Sequence, residues 1–325
     1  MNQTTKLTNK ETAAWLLERD GFLILTHRRP DGDTLGSAAG LCAFLRALGK
    51  RAYLLENPDT TARYVDYIAC YLAPQAFVPQ AVISVDTADQ EILQTNAGDY
   101  ALRVDLCIDH HASNTGYATF TCLDARRASC GEVVYEILLA LGGAISAEAA
   151  LPLYVALVTD TGCFQYANVT AHTLEVAAAL IRAGAEHWPV HKRLFRTKSR
   201  GRMALDGAML SGLQFYHGDQ IAVVVVTLDL MARCGVTEDD LDDIAAIPTQ
   251  AEGVRVGIVV RKLDEGGCKI SVRSAPGVDA NAICRKFGGG GHPMAAGCTV
   301  DLGPDEAAMA LVAAACEALD SALCV

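Results

Sequence analysis

The sequence contains no long hydrophobic run. Hydrophobic residues make up 51% of the chain, yet no apolar stretch approaches the roughly 18 to 20 residues that a helix needs to cross a bilayer. The first eleven residues, MNQTTKLTNKE, also lack the apolar central region of a secretory signal peptide. These absences argue against a membrane-spanning protein and a secreted precursor, and we expect a cytoplasmic protein.

Paired cysteines and an excess of positive charge are missing as well. The twelve cysteines include no Cys-x2-Cys pair, so the sequence indicates buried reduced thiols rather than a zinc ribbon or a disulfide framework. The net charge of −11 argues against a protein that holds long duplexes by neutralising many phosphates. Small phosphorylated substrates stay possible, because divalent cations turn an acidic pocket into an anion-binding site.

Strand-like and helix-like segments alternate through the first half of the chain. Strands are predicted at 21–26, 51–56, 81–85 and 102–108, and helices at 37–48, 130–141 and 172–182. This alternation is typical of an α/β fold with a mostly parallel sheet flanked by helices. The run LYVALV, close before Asp160, fits either a strand or a buried helix.

A basic segment at 186–212 predicts an interdomain connection. We therefore expect a first domain at 1–190, a linker at 191–215 and a smaller α/β domain with a mixed sheet at 216–325. In that second domain, strands are predicted at 221–228, 254–263 and 268–274, and helices at 280–287 and 305–323. The basic residues of the connection either line a substrate cleft or, as the pattern favours, form a solvated helix that balances the acidic surface. They are Lys192, Arg193, Arg196, Lys198, Arg200 and Arg202.

Acidic residues and histidines form four clusters, each at or near the end of an apolar run. They are His27-x3-Asp31-x-Asp33, Asp86, Asp109-His110-His111 and Asp160-Thr161-Gly162. Ligands of open α/β folds bind where the carboxyl ends of the strands meet. We therefore expect all four clusters to lie together at one edge of the sheet.

The residue types in these clusters predict a dinuclear metal site. Aspartates with a minority of imidazoles and no thiolate suit Mn²⁺, or else Mg²⁺. Asp86, alone at the end of its strand, is placed to bridge two ions. Two ions about 3.5 to 4 Å apart lower the pKa of a shared water and stabilise an in-line displacement at phosphorus. The pattern thus favours phosphoester hydrolysis.

Each cluster taken alone has an ordinary structural interpretation. The first fits a solvated turn, Asp86 and Asp160 fit helix N-caps because a threonine follows each of them, and the two histidines fit a structural pair. The joint pattern favours a metal site, since a carboxylate recurs at every expected strand end.

A second signal is the segment FGGGGHPMAAGC, residues 287–298. Consecutive glycines let the backbone approach a ligand closely and direct amides at a phosphate. Arg273 near the end of the preceding strand, with Ser274 beside it, is suited to bind the same phosphate. A flexible linker is the alternative, but an apolar helix leads into the segment and MAAGC follows it directly.

The motifs HRRPDGD, SVDTAD, IDHH, TDTG and GGGGHPMAAG, in this order, resemble the DHH phosphoesterase family with its C-terminal DHH-associated domain, in particular the oligoribonuclease and pAp phosphatase group. The resemblance implies that one ion is held by His27, Asp31 and Asp86, and the other by Asp33, Asp86, His110 and Asp160. It implies that His111 assists catalysis and that Asp109 orients its neighbours. It also implies that the second domain binds substrate through Arg273, Ser274, Gly289, Gly290, Gly291 and His292.

The same resemblance implies cleavage of very short RNA to mononucleotides, conversion of pAp to AMP, or cleavage of linear and cyclic dinucleotides, by a protein that could form homodimers. A manganese-dependent inorganic pyrophosphatase and a nucleotide sensor without turnover are the alternatives. The glycine segment speaks against the pyrophosphatase, and the complete ligand set speaks against the sensor. Phe164, Tyr166 and Asn168 follow Asp160 closely enough to contact a base, although Phe164 fits core packing equally well.

Overall fold

The computed structural model describes residues 4–241 and 243–322, and it divides the chain into two compact units, Met1–Thr197 and Lys198–Val325. Within the described ranges, no helix combines the length and the apolar character that crossing a bilayer requires. The predicted final helix ended at residue 323, which lies outside the described residues. The predicted linker at 191–215 is largely helical, because a π-helical turn at Lys192–Arg196 and a helix at Arg200–Ser211 occupy most of it.

The first unit is built on a six-stranded sheet in which all pairs are parallel. The strands are β1 (Thr5–Lys6), β2 (Phe22–Leu25), β3 (Ala52–Leu54), β4 (Ala81–Val85), β5 (Leu106–Asp109) and β6 (Phe120–Leu123), in the order β1-β6-β5-β4-β2-β3. The helices are α1 (Asn9–Leu17), α2 (Gly32–Ala47), α3 (Val65–Ile68), α4 (Cys130–Ala140), α5 (Ala147–Asp160), α6 (Ala171–Arg182) and α7 (His187–His191). The predicted α/β class with a mostly parallel sheet is confirmed.

Two predicted boundaries in this unit need correction, and one assignment that the sequence left open can be made. The helix predicted at 37–48 begins earlier, at Gly32, and ends at Ala47. The strand predicted at 102–108 begins only at Leu106, because Thr95–Arg103 forms 3-10 turns. The run before Asp160 is the end of helix α5, so Asp160 does not follow a strand. Residues 149, 150 and 152–158 of this helix are all buried. A helix that is apolar on every side has no amphipathic period, which is why its sequence also fits a buried strand.

The second unit contains a mixed sheet, as predicted. Its strands are β7 (Gln214–Tyr216), β8 (Ile221–Val226), β9 (Val256–Lys262), β10 (Cys268–Ser274), β11 (Gly290–His292) and β12 (Ala295–Val300), in the order β11-β12-β10-β9-β8-β7. Strands β8 and β9 are parallel, and the other pairs are antiparallel. The helices are α8 (Arg200–Ser211), α9 (Leu228–Cys234), α10 (Ala280–Arg285) and α11 (Pro304–Ala322). Helices α10 and α11 pack their apolar residues on one side of the sheet.

A row of glycines lets helix α2 pack unusually close to helix α5. Gly32, Gly36 and Gly40 recur every four residues and therefore lie on one side of α2. A Cβ atom on Gly36 would lie 2.4 Å from the carbonyl oxygen of Pro152, and one on Gly32 would lie 2.4 Å from a side-chain carbon of Thr159. The first turn of α2 and the last turn of α5 thus meet, which brings the acidic residues of both turns together.

We expect Gly36→Ala to lower the free energy of unfolding by up to about 2 kcal/mol. Overpacking a core usually costs about 1 to 3 kcal/mol, and the better helix propensity of alanine offsets roughly 1 kcal/mol of that cost. The measurement is urea denaturation of the purified protein. The matched control is Gly207→Ala in helix α8, where an added Cβ meets no atom within 4 Å and where we expect unchanged or slightly higher stability. Equal effects of the two substitutions would contradict the close packing of α2 on α5.

Candidate metal centre

The four predicted clusters meet at one place in the first unit. His27 follows β2, Asp86 follows β4, and the Asp109-His110-His111 cluster begins at the last residue of β5. Strands β5, β4 and β2 are neighbours and parallel, so their carboxyl ends share one edge of the sheet. The remaining acidic residues come from two helix ends, as Asp31 and Asp33 lie at the start of α2 and Asp160 is the last residue of α5.

His27, Asp31 and Asp86 form the first group of ligand atoms. Nε2 of His27 lies 3.6 Å from Oδ1 of Asp31 and 3.6 Å from Oδ2 of Asp86. One ligand atom from each residue lies within 4.8 Å of the others. The Asp31 side chain also caps helix α2, because its Oδ1 accepts the amides of Asp33 and Thr34 at 2.9 and 3.1 Å. The helix start therefore fixes the position of this carboxylate.

Asp33, His110 and Asp160 form the second group. Nε2 of His110 lies 3.7 Å from Oδ2 of Asp33, 3.6 Å from Oδ2 of Asp160 and 3.4 Å from Oδ1 of Asp86. Asp86 thus directs Oδ2 toward the first group and Oδ1 toward the second. A single carboxylate with one oxygen in each group is the geometry expected of a bridging ligand.

Asp86 is a buried carboxylate whose hydrogen bonding the described residues satisfy only in part. Its side chain is 3% exposed, and Oδ1 is buried without a hydrogen-bond partner among the described residues. Its backbone is left-handed, with a φ of 54°, which is costly for a residue other than glycine. Because buried carboxylates are normally hydrogen-bonded or bound to metal, the bare oxygen fits a cation.

Backbone amides hold Asp33 in place. Oδ2 of Asp33 accepts the amide of Cys130 at 2.7 Å, and Oδ1 accepts the amide of Gly131 at 3.0 Å and the Ser37 hydroxyl at 3.1 Å. Both amides belong to the first turn of α4, where the helix dipole favours negative charge. The start of α4 therefore anchors this carboxylate, which is 1% exposed.

Two imidazoles are oriented by main-chain carbonyls. Nδ1 of His27 lies 2.9 Å from the carbonyl oxygen of Arg28, and Nδ1 of His110 lies 3.2 Å from that of Arg127. A carbonyl can only accept, so Nδ1 carries the hydrogen in both rings. Nε2 of each ring faces the carboxylates and is the nitrogen that can bind a metal.

The third imidazole, that of His111, is held by a carboxylate instead. Nδ1 of His111 lies 2.8 Å from Oδ1 of Asp109, and Asp109 is fully buried. Asp109 also accepts the amides of His110 and His111 at 2.8 and 3.2 Å and the side-chain amide of Asn114 at 2.6 Å. With both oxygens of Asp109 engaged, this carboxylate orients its neighbours and leaves Nε2 of His111 for other contacts.

Protons balance the negative charge of the site when no cation is bound. Burial and the nearby carboxylates of Asp86 and Asp160 raise the pKa of Asp33 well above its usual value. Burial and the carboxylates of Asp86 and Asp31 likewise raise the pKa of Asp160 to about 6 against the opposing charge of His110. Although burial alone would lower it, the neighbouring carboxylates raise the pKa of His27 to about 11 and that of His110 to about 10. Divalent cations would displace these protons.

The donor set fits two hard or borderline cations. It comprises four aspartates and two imidazoles without a thiolate, which suits Mn²⁺ or Mg²⁺ better than a structural zinc ion. His27, Asp31 and Asp86 can hold one ion, and Asp33, Asp86, His110 and Asp160 can hold the other. Such a pair of ions activates water and stabilises the charge that develops on a phosphate.

Three supporting features of the site lay outside the sequence predictions. No sequence pattern predicts the contact of Asn114 with Asp109, because the two residues belong to no motif with a fixed spacing. The amides of Cys130 and Gly131 could have been found from Ser129, whose side chain caps α4. Ser37 lies four residues after Asp33, a spacing that brings two side chains together on a helix. This contact was not predicted, because the helix was predicted to begin only at Ser37.

The predicted substrate-binding residues all lie in the second unit. Arg273 and His292 both pair with Ala295, from opposite sides of β12, and so lie on the same face of the sheet. The glycine segment forms the edge strand β11, in which Gly290 and Gly291 are exposed. Gly289 packs so closely on β12 that a Cβ atom would lie 2.2 Å from the carbonyl oxygen of Gly297.

Ser274 is placed differently from Arg273. Its hydroxyl is buried within hydrogen-bond distance of the carbonyl oxygens of Val278 and Pro293, at 2.7 and 3.1 Å. The side chain therefore stabilises the turn after β10. The Ser274 amide donates to the carbonyl oxygen of Met294 at 3.1 Å, so both donors of this residue are engaged within the unit.

Of the candidate base contacts, only Tyr166 has a largely exposed ring. Tyr166 is 54% exposed and lies against Gly162. Phe164 packs near Tyr154, with ring centroids 6.5 Å apart. The side-chain amide of Asn168 donates to the carbonyl oxygens of Ala128 and Asp160 at 3.0 Å each, so it holds the loop after α5.

Several residues of the basic segment form ion pairs within their own unit. Arg193 contacts Asp66 in the first unit. Lys198 and Arg202 both contact Asp206 in the second, at 2.6 and 2.7 Å. These contacts agree with the interpretation of a charge-balancing helix rather than a cleft lining.

Both units match known protein families. The model for the DHH family, N-terminal domain, matches residues 21–158, and that for the DHHA1 domain matches residues 218–321. Among curated proteins, the bifunctional oligoribonuclease and PAP phosphatase NrnA of Thermus thermophilus is 34% identical over 281 residues, which cover 85% of this chain and 83% of that protein.

Two solved structures share the fold. An exopolyphosphatase-related protein from Bacteroides fragilis has a TM-score of 0.87 at 23% identity, covering 95% of this chain and 96% of that chain. The exonuclease RecJ bound to manganese has a TM-score of 0.54 at 18% identity, covering 96% of this chain and 94% of that chain. At these identities the likeness shows the architecture alone.

The raised pKa of Asp160 predicts a pH-dependent effect in metal-free protein. Because its folded pKa of about 6 exceeds the unfolded value of about 3.9, the group favours folding at low pH, and this contribution is lost as pH rises through 6. We expect Asp160→Asn to gain stability relative to the wild type between pH 4.5 and pH 7, on the order of 1 kcal/mol. The measurement is urea denaturation in the presence of a chelator.

The control for this prediction is Asp124→Asn. Arg126 lowers the pKa of Asp124, so the contribution of Asp124 to the free energy of unfolding changes only below about pH 4. The difference in stability between Asp124→Asn and the wild type should therefore stay constant from pH 4.5 to pH 7. If the stability difference between Asp160→Asn and the wild type were also constant over this range, the raised pKa of Asp160 would be contradicted. Saturating Mn²⁺ at pH 7 should reverse the order. Only the wild type has the full set of ligands for both ions, so the metal stabilises it more than the variant by mass action.

Proposed function

This chain belongs to the DHH family, and from that membership we propose that it is a metal-dependent phosphoesterase with two related activities. It hydrolyses very short oligoribonucleotides and linear dinucleotides to mononucleotides, and it removes a phosphate from pAp to give AMP. The observation that carries this proposal is the position of Asp86, whose two carboxylate oxygens face two separate groups of ligand atoms. The curated relative from Thermus thermophilus supports the choice of substrates by its name.

We propose Mn²⁺ as the physiological cation, with Mg²⁺ as the alternative. The imidazoles of His27 and His110 favour manganese, since Mg²⁺ prefers oxygen ligands and retains its waters. When bound, the two cations supply an activated water and neutralise charge on the phosphate. We place the reaction in the cytoplasm, because the eleven cysteines in the described ranges are free thiols and a reducing compartment keeps them so.

In this proposal, His111 is the residue that moves a proton. The hydrogen bond that Nδ1 of His111 donates to Asp109 raises the pKa of His111, and partial burial opposes that shift without cancelling it. The raised pKa favours the protonated imidazole, in which Nδ1 donates to Asp109 and Nε2 is free to donate to another group. Donation to the leaving oxygen of a phosphoester is general acid catalysis. Asp109 acts through His111 as a positioning residue.

The second unit binds a substrate phosphate in this proposal. The Arg273 guanidinium can bind two phosphate oxygens at once, and His292 lies on the same sheet face one strand beyond Ala295. Gly289, Gly290 and Gly291 keep side chains away from that edge. Ser274 contributes by fixing the turn that ends the Arg273 strand.

The proposed function predicts a defined substrate range. With Mn²⁺ present, the protein should cleave a labelled RNA dinucleotide and pAp rapidly, and long RNA, cyclic di-AMP and pyrophosphate slowly. Asp86→Asn should lower both fast activities more than about 100-fold, beyond the 10- to 100-fold typical of residues that only support a metal ligand. Product formation is followed by chromatography of the nucleotides.

Asp124→Asn, which removes a carboxylate outside the metal site, should keep full activity. Fast turnover of pyrophosphate alone would show a pyrophosphatase, and fast turnover of cyclic di-AMP alone would show a cyclic dinucleotide phosphodiesterase. Either result would overturn the proposal, as would activity that survives in Asp86→Asn.

A further inference from the structure

The segment that leads into helix α4 contacts two residues of the second group of ligand atoms. The carbonyl oxygen of Arg127 lies 3.2 Å from Nδ1 of His110 and accepts its hydrogen. A few residues later, the amides of Cys130 and Gly131 donate to Asp33 at 2.7 and 3.0 Å. The backbone of this segment therefore sets the direction of one imidazole and one carboxylate.

The third member of the group, Asp160, is tied to the same segment through Asn168. The side-chain amide of Asn168 donates to the carbonyl oxygens of Ala128 and Asp160 at 3.0 Å each. Residues 127–131 are thus connected to all three members of the second group, and we call them the support segment.

The first group of ligand atoms is held by other parts of the chain. Nδ1 of His27 lies 2.9 Å from the carbonyl oxygen of Arg28, and Oδ1 of Asp31 accepts two amides at the start of α2. The two groups share Asp86 but are oriented by separate segments. A change confined to the support segment should therefore act on the second group more than on the first.

An ion pair holds the support segment on helix α4. Nη2 of Arg127 lies 2.6 Å from Oε1 of Glu136, and the two side chains are only 22% and 16% exposed. Nε2 of His172 in α6 lies 2.9 Å from the same oxygen, and Asn9 in α1 donates to the other oxygen of Glu136 at 2.7 Å. Three helices thus fix the carboxylate that holds Arg127. Breaking a partly buried pair is costly, because the remaining charge loses its partner.

The neighbouring Arg126 is placed differently. Its guanidinium donates to both oxygens of Asp124 at 2.9 Å each, and its side chain is 82% exposed. Arg127 also lies 3.5 Å from Asp124, but its shorter contact is the one to Glu136. Exposed ion pairs contribute little to stability. The two adjacent arginines therefore differ in that only Arg127 is anchored by a partly buried carboxylate.

We propose that Arg127 is a positioning residue whose ion pair with Glu136 sets the affinity of the second group for its cation. The affinity of the first group does not depend on this ion pair. The inference rests on the proposed function, in which each group holds one cation. The carbonyl oxygen of Arg127 makes the contact with His110, and the anchored side chain keeps that carbonyl in place.

The test uses two variants in which one group at a time is weakened. Asp31→Asn weakens the first group and keeps the helix cap, since asparagine also caps helices. Asp160→Asn weakens the second group. Each background is titrated with Mn²⁺, and the free ion is measured by electron paramagnetic resonance, so that the affinity of the intact group is obtained without any turnover.

We expect Arg127→Ala to weaken Mn²⁺ binding by about 10-fold in the Asp31→Asn background, the lower end of the range for residues that support a metal ligand. In the Asp160→Asn background, the affinity should stay unchanged. Glu136→Gln should reproduce both results, and combining it with Arg127→Ala should add no further loss, because the two residues act as a unit. Arg127→Lys should restore part of the affinity, since it keeps the charge without the planar guanidinium.

Arg126→Ala is the matched control and should leave the affinity unchanged in both backgrounds. Equal weakening in the two backgrounds, no weakening in either, or the same selective loss in Arg126→Ala would overturn the inference. Turnover of pAp and an RNA dinucleotide then separates the two claims. If the selective loss is found but the wild type hydrolyses neither substrate, the positioning role stands and the proposed function fails. If both substrates are hydrolysed without a selective loss, the proposed function stands and the positioning role fails.

Discussion

The buried carboxylate of Asp86 is the group on which the arrangement of the metal centre depends. Its oxygens face two different imidazoles, one at 3.6 Å and the other at 3.4 Å, and one of them has no hydrogen-bond partner among the described residues. Charge of this kind is costly to bury, and the cost rises where Asp33 and Asp160 lie close by. The fold lowers the cost of burying these carboxylates in two ways. The amides at the start of α4 donate to Asp33, and the imidazoles of His27 and His110 hold protons. Two cations would offset the remainder.

The same constraint explains why two helix ends take part beside three strand ends. Four carboxylates cannot converge unless their backbones approach closely, and the glycines of α2 permit that approach to α5. Gly32 lies between Asp31 and Asp33, so the residue that allows the close contact also separates the two carboxylates along the chain. The geometry of the metal centre and the packing of the helices are thus one structural feature.

Much of this could be predicted from the sequence, because the relevant patterns are short and local. Strand β4 was predicted with its observed bounds, and the strands before His27 and Asp109 were predicted because apolar runs of this length indicate buried strands. The run before Asp160 could not be assigned to a strand or a helix, since a helix buried on all sides lacks an amphipathic signal. Asn114 could not be found, because its contact with Asp109 depends on the conformation of a loop. The metal-ligand roles themselves, like those of Arg273 and His292, stay predictions.

The most direct test of a dinuclear site built around Asp86 is a crystal structure of the protein grown with Mn²⁺, with anomalous scattering recorded near the manganese edge. The account predicts two peaks about 3.5 to 4 Å apart, one beside His27 and Asp31 and the other beside Asp33, His110 and Asp160, with Asp86 contacting both. A single peak, or two peaks without Asp86 between them, would contradict it.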